Sequence, residues 1–81
     1  MASSLPKARR IVAKLKSVGC DFWTVTGDDG KPKLVFGPEN KSDEQKHWIG
    51  NIVLTAMAMP RLYAAIVRAA GETERSAEVA A

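Results

Sequence analysis

Three groups of residues carry side chains able to do chemistry. Asp28 and Asp29 are adjacent carboxylates, Asp43, Glu44 and His47 have the one-turn spacing at which a helix offers ligands to a metal, and Cys20 is a thiol. Each has a simpler account. Neighbouring residues send their side chains different ways, and Asp28-Asp29 stands between Gly27 and Gly30, so the pair reads as turn residues and not as an acid/base dyad. A metal at Asp43, Glu44 and His47 would be short of ligands, because the chain has 1 His and 1 Cys; the acids suit a helix N-terminus, with His47 solvated. Cys20 adjoins Asp21, whose charge disfavours a thiolate, so a packed structural thiol is expected. Tyr63 and the methionines have helical spacing and read as core. The sequence thus predicts a protein that is not an enzyme, with no catalytic residue, metal site or cofactor.

Charge is the other chemical resource. The net charge is +3, distributed unevenly: Lys7, Arg9, Arg10, Lys14 and Lys16 meet no acid before Cys20, whereas residues 21–40 carry Asp21, Asp28, Asp29 and Glu39 against Lys31 and Lys33. Such a polarised surface suits an acidic partner. Nucleic acid is the alternative partner, since the cations could meet phosphates, but no base-reading motif is present and acids interrupt the pattern; a solvated basic face is the simpler reading. A membrane surface is not expected, because the apolar face of the first helix lacks Trp or Phe and is needed for the core.

An 81-residue chain with 46% hydrophobic and 26% charged residues predicts one soluble domain of marginal stability. Its longest apolar run, residues 52–60, is interrupted by Thr55 and is too short to span a bilayer. The basic, Ser-containing start superficially resembles a mitochondrial transit peptide, but its apolar face is required for folding. With a single cysteine there is no internal disulfide, and a cytoplasmic location is expected.

The elements that must position these residues follow from periodicity. Residues 43–59 place Trp48, Ile49, Ile52, Val53, Ala56, Met57 and Met59 on one wide arc, which predicts the central core helix, opened by a capping box at Ser42-Asp43-Glu44-Gln45. Before it, Ser4 caps a helix with Pro6 in its first turn and Leu5, Ala8, Ile11, Val12, Leu15 and Val18 on one face, stopped by Gly19. Residues 21–26 and 31–36 alternate around Gly27-Asp28-Asp29-Gly30 and predict a β-hairpin, with Pro32 at the start of an edge strand. Phe22 or Trp23, with Leu34 and Phe36, must pack on the helices, because a two-stranded ribbon is marginal alone. Pro60 breaks the chain, and residues 61–70 form a last helix with Leu62, Tyr63, Ile66, Val67 and Ala70 inward, closed by Gly71. The expected architecture is a single α+β domain, αββαα, over residues 1–71 with a flexible tail over 72–81.

The sequence Gly19-Cys20-Asp21-Phe22-Trp23, a turn, and Leu34-Val35-Phe36-Gly37-Pro38, set between helices, resembles the TubC-type N-terminal docking domains of nonribosomal-peptide and polyketide assembly lines. The resemblance spans about residues 5–70; the segment 40–42 and the Pro60 break make the helical half longer than that family's pattern. It implies a docking surface on the hairpin, where a partner's terminal peptide lies along the strand 31–36 and Lys31 and Lys33 select acidic side chains. An open strand edge beside positive charge agrees with that mode of binding. The expected function is protein–protein interaction, with Arg10, Lys14, Trp23, Lys31, Lys33 and Val35 as partner contacts. The alternative is a free-standing phage or mobile-element inhibitor that binds a host complex, an anti-CRISPR for example. A homodimer through a self-paired hairpin edge and a monomer fit the pattern equally.

Overall fold

The computed structural model describes the backbone of residues 4–80 and the side chains of residues 4–72. Helix α1 (Leu5–Ser17) accommodates Pro6 in its first turn, where its missing N–H has no helical partner to lose. The expected Ser4 cap is not made: Ser4 already has helical backbone angles, φ −78° and ψ −8°, whereas a capping hydroxyl reaches forward from extended backbone. The far end is closed firmly. Gly19 takes φ 76°, its N–H donates to the Lys16 carbonyl (3.0 Å), and the Cys20 N–H reaches back to the Leu15 carbonyl (3.0 Å). That pair of bonds is a Schellman stop, and Cys20 and Leu15 both enter the core beneath it.

Strands β1 (Phe22–Thr26) and β2 (Pro32–Phe36) form one antiparallel pair, with Phe22 opposite Phe36, Trp23 opposite Val35, Thr24 opposite Leu34 and Val25 opposite Lys33. Alternation puts Phe22, Thr24, Leu34 and Phe36 on one face. There Leu34 is buried and the two phenylalanines pack against the core. Gly30, at φ 78°, closes the turn, and Asp29 accepts the Lys31 N–H at 3.0 Å.

Helix α2 (Asp43–Ala58) opens with the expected capping box. The Ser42 hydroxyl accepts the Gln45 N–H (3.1 Å) and Gln45 Oε1 accepts the Ser42 N–H (3.1 Å). Gln45 does more than the box requires. Its Nε2 donates to the Val18 and Gly19 carbonyls, each at 3.1 Å, and so binds the start of α2 to the end of α1.

Helix α3 (Pro60–Ala80) packs on α1, on α2 and on both strands. The core is therefore Ala8, Val12 and Leu15 of α1 closed on Leu62, Ile66, Val67, Ala69 and Ala70 of α3, with Leu34, Cys20 and Ile52 filling the sides. The chain is an α+β domain in the order αββαα, as the sequence predicts. Among the described residues, no helix is long and apolar enough to cross a membrane.

Two expectations are corrected. The central helix is α3, not α2: Ile52 is the one fully buried side chain of α2, while Val53, Leu54, Met57 and Met59 are exposed. The Gln45 contacts give the reason, since they turn the stripe Gln45, Trp48, Ile49, Ile52, Thr55 and Ala56 inward and leave Val53, Leu54 and Met57 on the outer side. The methionines at 57 and 59 are accordingly surface residues, not core. Second, α3 does not stop at Gly71 but passes through it. Of the tail expected over 72–81, only Glu72 is described with its side chain; the others lie outside the described side chains.

Candidate interaction surfaces

The outer face of the hairpin carries Trp23, Val25, Lys33 and Val35, and each end of it rests on a glycine. At one end the Trp23 ring and the Asp21 carboxylate lie against Gly37, where a Cβ would strike the carboxylate and stand a tight 3.3 Å from the ring. At the other, Lys33 lies over Gly27, its Cε only 2.9 Å from where a Cβ would stand. Aromatic and long side chains reach diagonal cross-strand neighbours in this way, and a glycine in the partner strand supplies the space. Trp23 and Lys33 are thus laid along the ribbon, and Trp23 keeps 37% of its surface exposed.

The base of the hairpin is fastened by Asn40, which the sequence reading passed over. Its Oδ1 accepts the Asp21 N–H (2.8 Å), and its Nδ2 donates to the Asp21 carbonyl (2.9 Å) and the Gly37 carbonyl (3.0 Å). The bond between Gly37 N–H and the Asp21 carbonyl (3.0 Å) lies within the same clasp. This fixes the strand ends that carry Trp23. A usable signal was the position of Asn40 two residues past Pro38, where an amide can satisfy two chain segments at once.

The strand edge differs from expectation in detail. Hydrogen-bonded pairs alternate along an antiparallel ladder, and Asp21 with Gly37 and Gly27 with Lys31 are such pairs, so Pro32, Leu34 and Phe36 turn their backbone groups to the outer edge of β2. Pro32 has no N–H, and the Leu34 N–H donates to the Tyr63 hydroxyl of α3 at 3.2 Å. This edge is blunted from within the chain, which leaves the outer face as the more open surface of the ribbon. Tyr63→Phe is expected to destabilise the domain by about 1 kcal/mol and to speed hydrogen exchange at Leu34. An unchanged Leu34 exchange rate would deny the hydroxyl its role.

Of the residues expected to contact a partner, Trp23, Lys33 and Val35 share this face, and Lys31 stands exposed where the turn enters β2. Arg10 and Lys14 belong to α1, exposed, and Lys14 Nζ sits 6.0 Å from the Trp48 ring centroid at the limit of a cation–π contact. On the other flank of α1, Arg9 meets Glu72 at 3.4 Å.

The candidate chemical groups stand apart. Burial pushes the Cys20 thiol up, away from the thiolate form. The Lys31 backbone N–H holds the Asp29 carboxyl below its ordinary range, which fits a turn acceptor that stays ionised. His47 Nε2 lies 3.2 Å from Asn51 Nδ2, and its ring meets Trp48 edge-on at 6.0 Å. Among the described residues, no three of His, Cys, Asp and Glu converge as metal ligands.

Comparison with protein families, with characterised proteins and with solved structures finds no match. The functional reading therefore rests on the surfaces themselves.

Proposed function

We propose that the chain is a non-catalytic protein-interaction module of the cytoplasm, and that it docks an acidic or extended segment of a partner protein on the outer face of its hairpin. The observation that carries this reading is the pre-set arrangement of that face: Trp23 over Gly37 and Lys33 over Gly27 frame Val25 and Val35 between them. Rigid aromatic side chains bind with little loss of rotamer freedom, and lysines at the rim steer and select an acidic partner. Because the β2 edge is partly occupied by Tyr63 and lacks a donor at Pro32, the partner is held mainly by side chains and not by strand addition along β2. A docking module of the TubC type and a free-standing inhibitor of a host complex would use this same face; the identity of the partner distinguishes them.

The test begins with capture of the partner from the native host and its identification by mass spectrometry. Against that partner, Lys31→Glu with Lys33→Glu is expected to weaken binding at least tenfold while thermal unfolding shifts by no more than about 2 °C, since both side chains are exposed. Unaltered affinity would remove the hairpin from consideration. Retention on duplex DNA or RNA that falls steeply between about 50 and 200 mM salt would favour nucleic acid instead.

A further inference from the structure

A second surface lies away from the ribbon. Between α1, α2 and the first turn of α3 runs an open groove of about 330 Å³, whose apolar walls are Ile11, Trp48, Ile52, Leu54, Met59 and Leu62 and which includes no hairpin residue. Beyond its α2 rim the apolar surface continues: Leu54 is 62% exposed and Met57 78%, with Val53 beside them. An apolar patch that a monomer leaves in water marks a binding site more often than an accident of packing. Unbranched methionines at its margin adapt to the shape of whatever enters.

The charges around this groove are of one sign. Lys7 lines it and Lys14 stands over its Trp48 wall, while Arg10 shares their helix. No acid occurs from Met1 to Cys20 or from Gln45 to Gly71, so the charged residues of α1, of α2 after its first turn and of α3 up to Gly71 are all Lys or Arg, with His47 the other titratable group on α2 and Tyr63 that on α3. The acids nearest in sequence are accounted for elsewhere: Asp43 and Glu44 sit in the first turn of α2, and Glu72 meets Arg9 on the far flank of α1. A second copy bound through a two-fold axis on this face would bring two rims of positive charge together. An acidic partner meets no such repulsion.

We infer that the α1–α2 groove binds an acidic amphipathic helix, whose apolar stripe fills the space over Ile52 and Leu62 while its flanking carboxylates face Lys7 and Lys14. A cleft bounded by helices and floored by aliphatic and aromatic side chains takes residues spaced i, i+3 or i+4 and i+7 from such a helix.

The experiment uses a synthetic 15-residue helix-forming peptide with a leucine stripe and glutamate flanks, together with its counterpart in which every Glu is Lys. Both are titrated into the full chain at about 50 mM salt and followed by calorimetry and by amide chemical shifts. The acidic peptide is expected to bind at least tenfold more tightly than the basic one, with shifts at Ile11, Ile52, Leu54 and Leu62 and none at Trp23 or Val35. Leu54→Glu should reduce that affinity at least tenfold in a domain that still unfolds cooperatively, and Lys7→Glu with Lys14→Glu should do the same. Lys31→Glu with Lys33→Glu should leave it unchanged, so this outcome is separate from that of the ribbon. Equal binding of the two peptides, binding of neither, or shifts confined to the hairpin would overturn the assignment. So would a concentration-dependent dimer of the protein alone that Leu54→Glu abolishes, which would give the groove to a second copy.

Discussion

Asn40→Ala is expected to destabilise the domain by about 3 kcal/mol, an effect large enough to lower the midpoint of thermal unfolding by about 15 °C in a chain of this size. The substitution removes three hydrogen bonds together, one accepted from Asp21 N–H and two donated to the Asp21 and Gly37 carbonyls. The Asp21 carbonyl keeps its bond from Gly37 N–H, so the groups that lose a partner are the Asp21 N–H and the Gly37 carbonyl. The Gly37 carbonyl is buried and the Asp21 N–H part-buried, and buried polar groups left unpaired cost about 1–3 kcal/mol each, more than the net value of the bonds when made. Lys41→Ala, one residue away and exposed, is the control and should shift the midpoint by no more than about 2 °C. Equal midpoints for the two variants would show that the clasp is dispensable. Thermal unfolding followed by far-UV circular dichroism decides between these results.

The second large effect separates the two candidate core helices. Ile66 of α3 is 0% exposed, and Ile66→Ala should cost about 4 kcal/mol, because the cavity is enclosed by α1 and α3 and has little room to collapse. For a domain of this length that approaches the whole of its stability. Met57→Ala on α2 should change stability by less than about 0.5 kcal/mol, since that side chain is mostly in water already. Urea unfolding of the two variants gives the comparison directly. A larger loss from Met57→Ala than from Ile66→Ala would return α2 to the centre of the fold.

That contrast also shows what could be read from the residues and what could not. Gly19, the Ser42-to-Gln45 box, the alternation around Gly27 and Gly30 and the break at Pro60 are local signals, and local backbone chemistry suffices to place the elements they bound. The inward faces of α1 and α3 were legible for the same reason, because a narrow apolar stripe beside Lys and Arg leaves one choice of side. Helix α2 gives no such contrast. Its apolar residues cover most of the circumference, so periodicity says that it is a helix without saying which arc is covered. The choice is made by Gln45, which looked like a capping residue only and whose partners on Val18 and Gly19 are distant in sequence. Of the buried small residues, Ala8 and Ala70 follow from the expected stripes, whereas Ala69 lies beside its stripe and was not expected inside; the size of all three permits α1 and α3 to approach closely enough to form the core. Of the expected contact residues, Lys33 and Val35 share a face by period-two alternation, but whether Trp23 or Phe22 joined them was left open until the register paired Trp23 with Val35, and the groove beside Lys14 depends on the rotation of α2 and was out of reach.

The helix on which every other element packs follows all of them in the chain. While α1, the ribbon and α2 emerge from the ribosome they can make only their local bonds, the glycine stop and the Asn40 clasp among them, because Leu15, Leu34 and Ile52 have no opposing wall until residues 60–70 follow. The core therefore closes only once α3 is available, and a ribosomal pause before Pro60 would hold an amphipathic α1, a broadly apolar α2 and an aromatic ribbon in the state most open to chaperones and to misassembly.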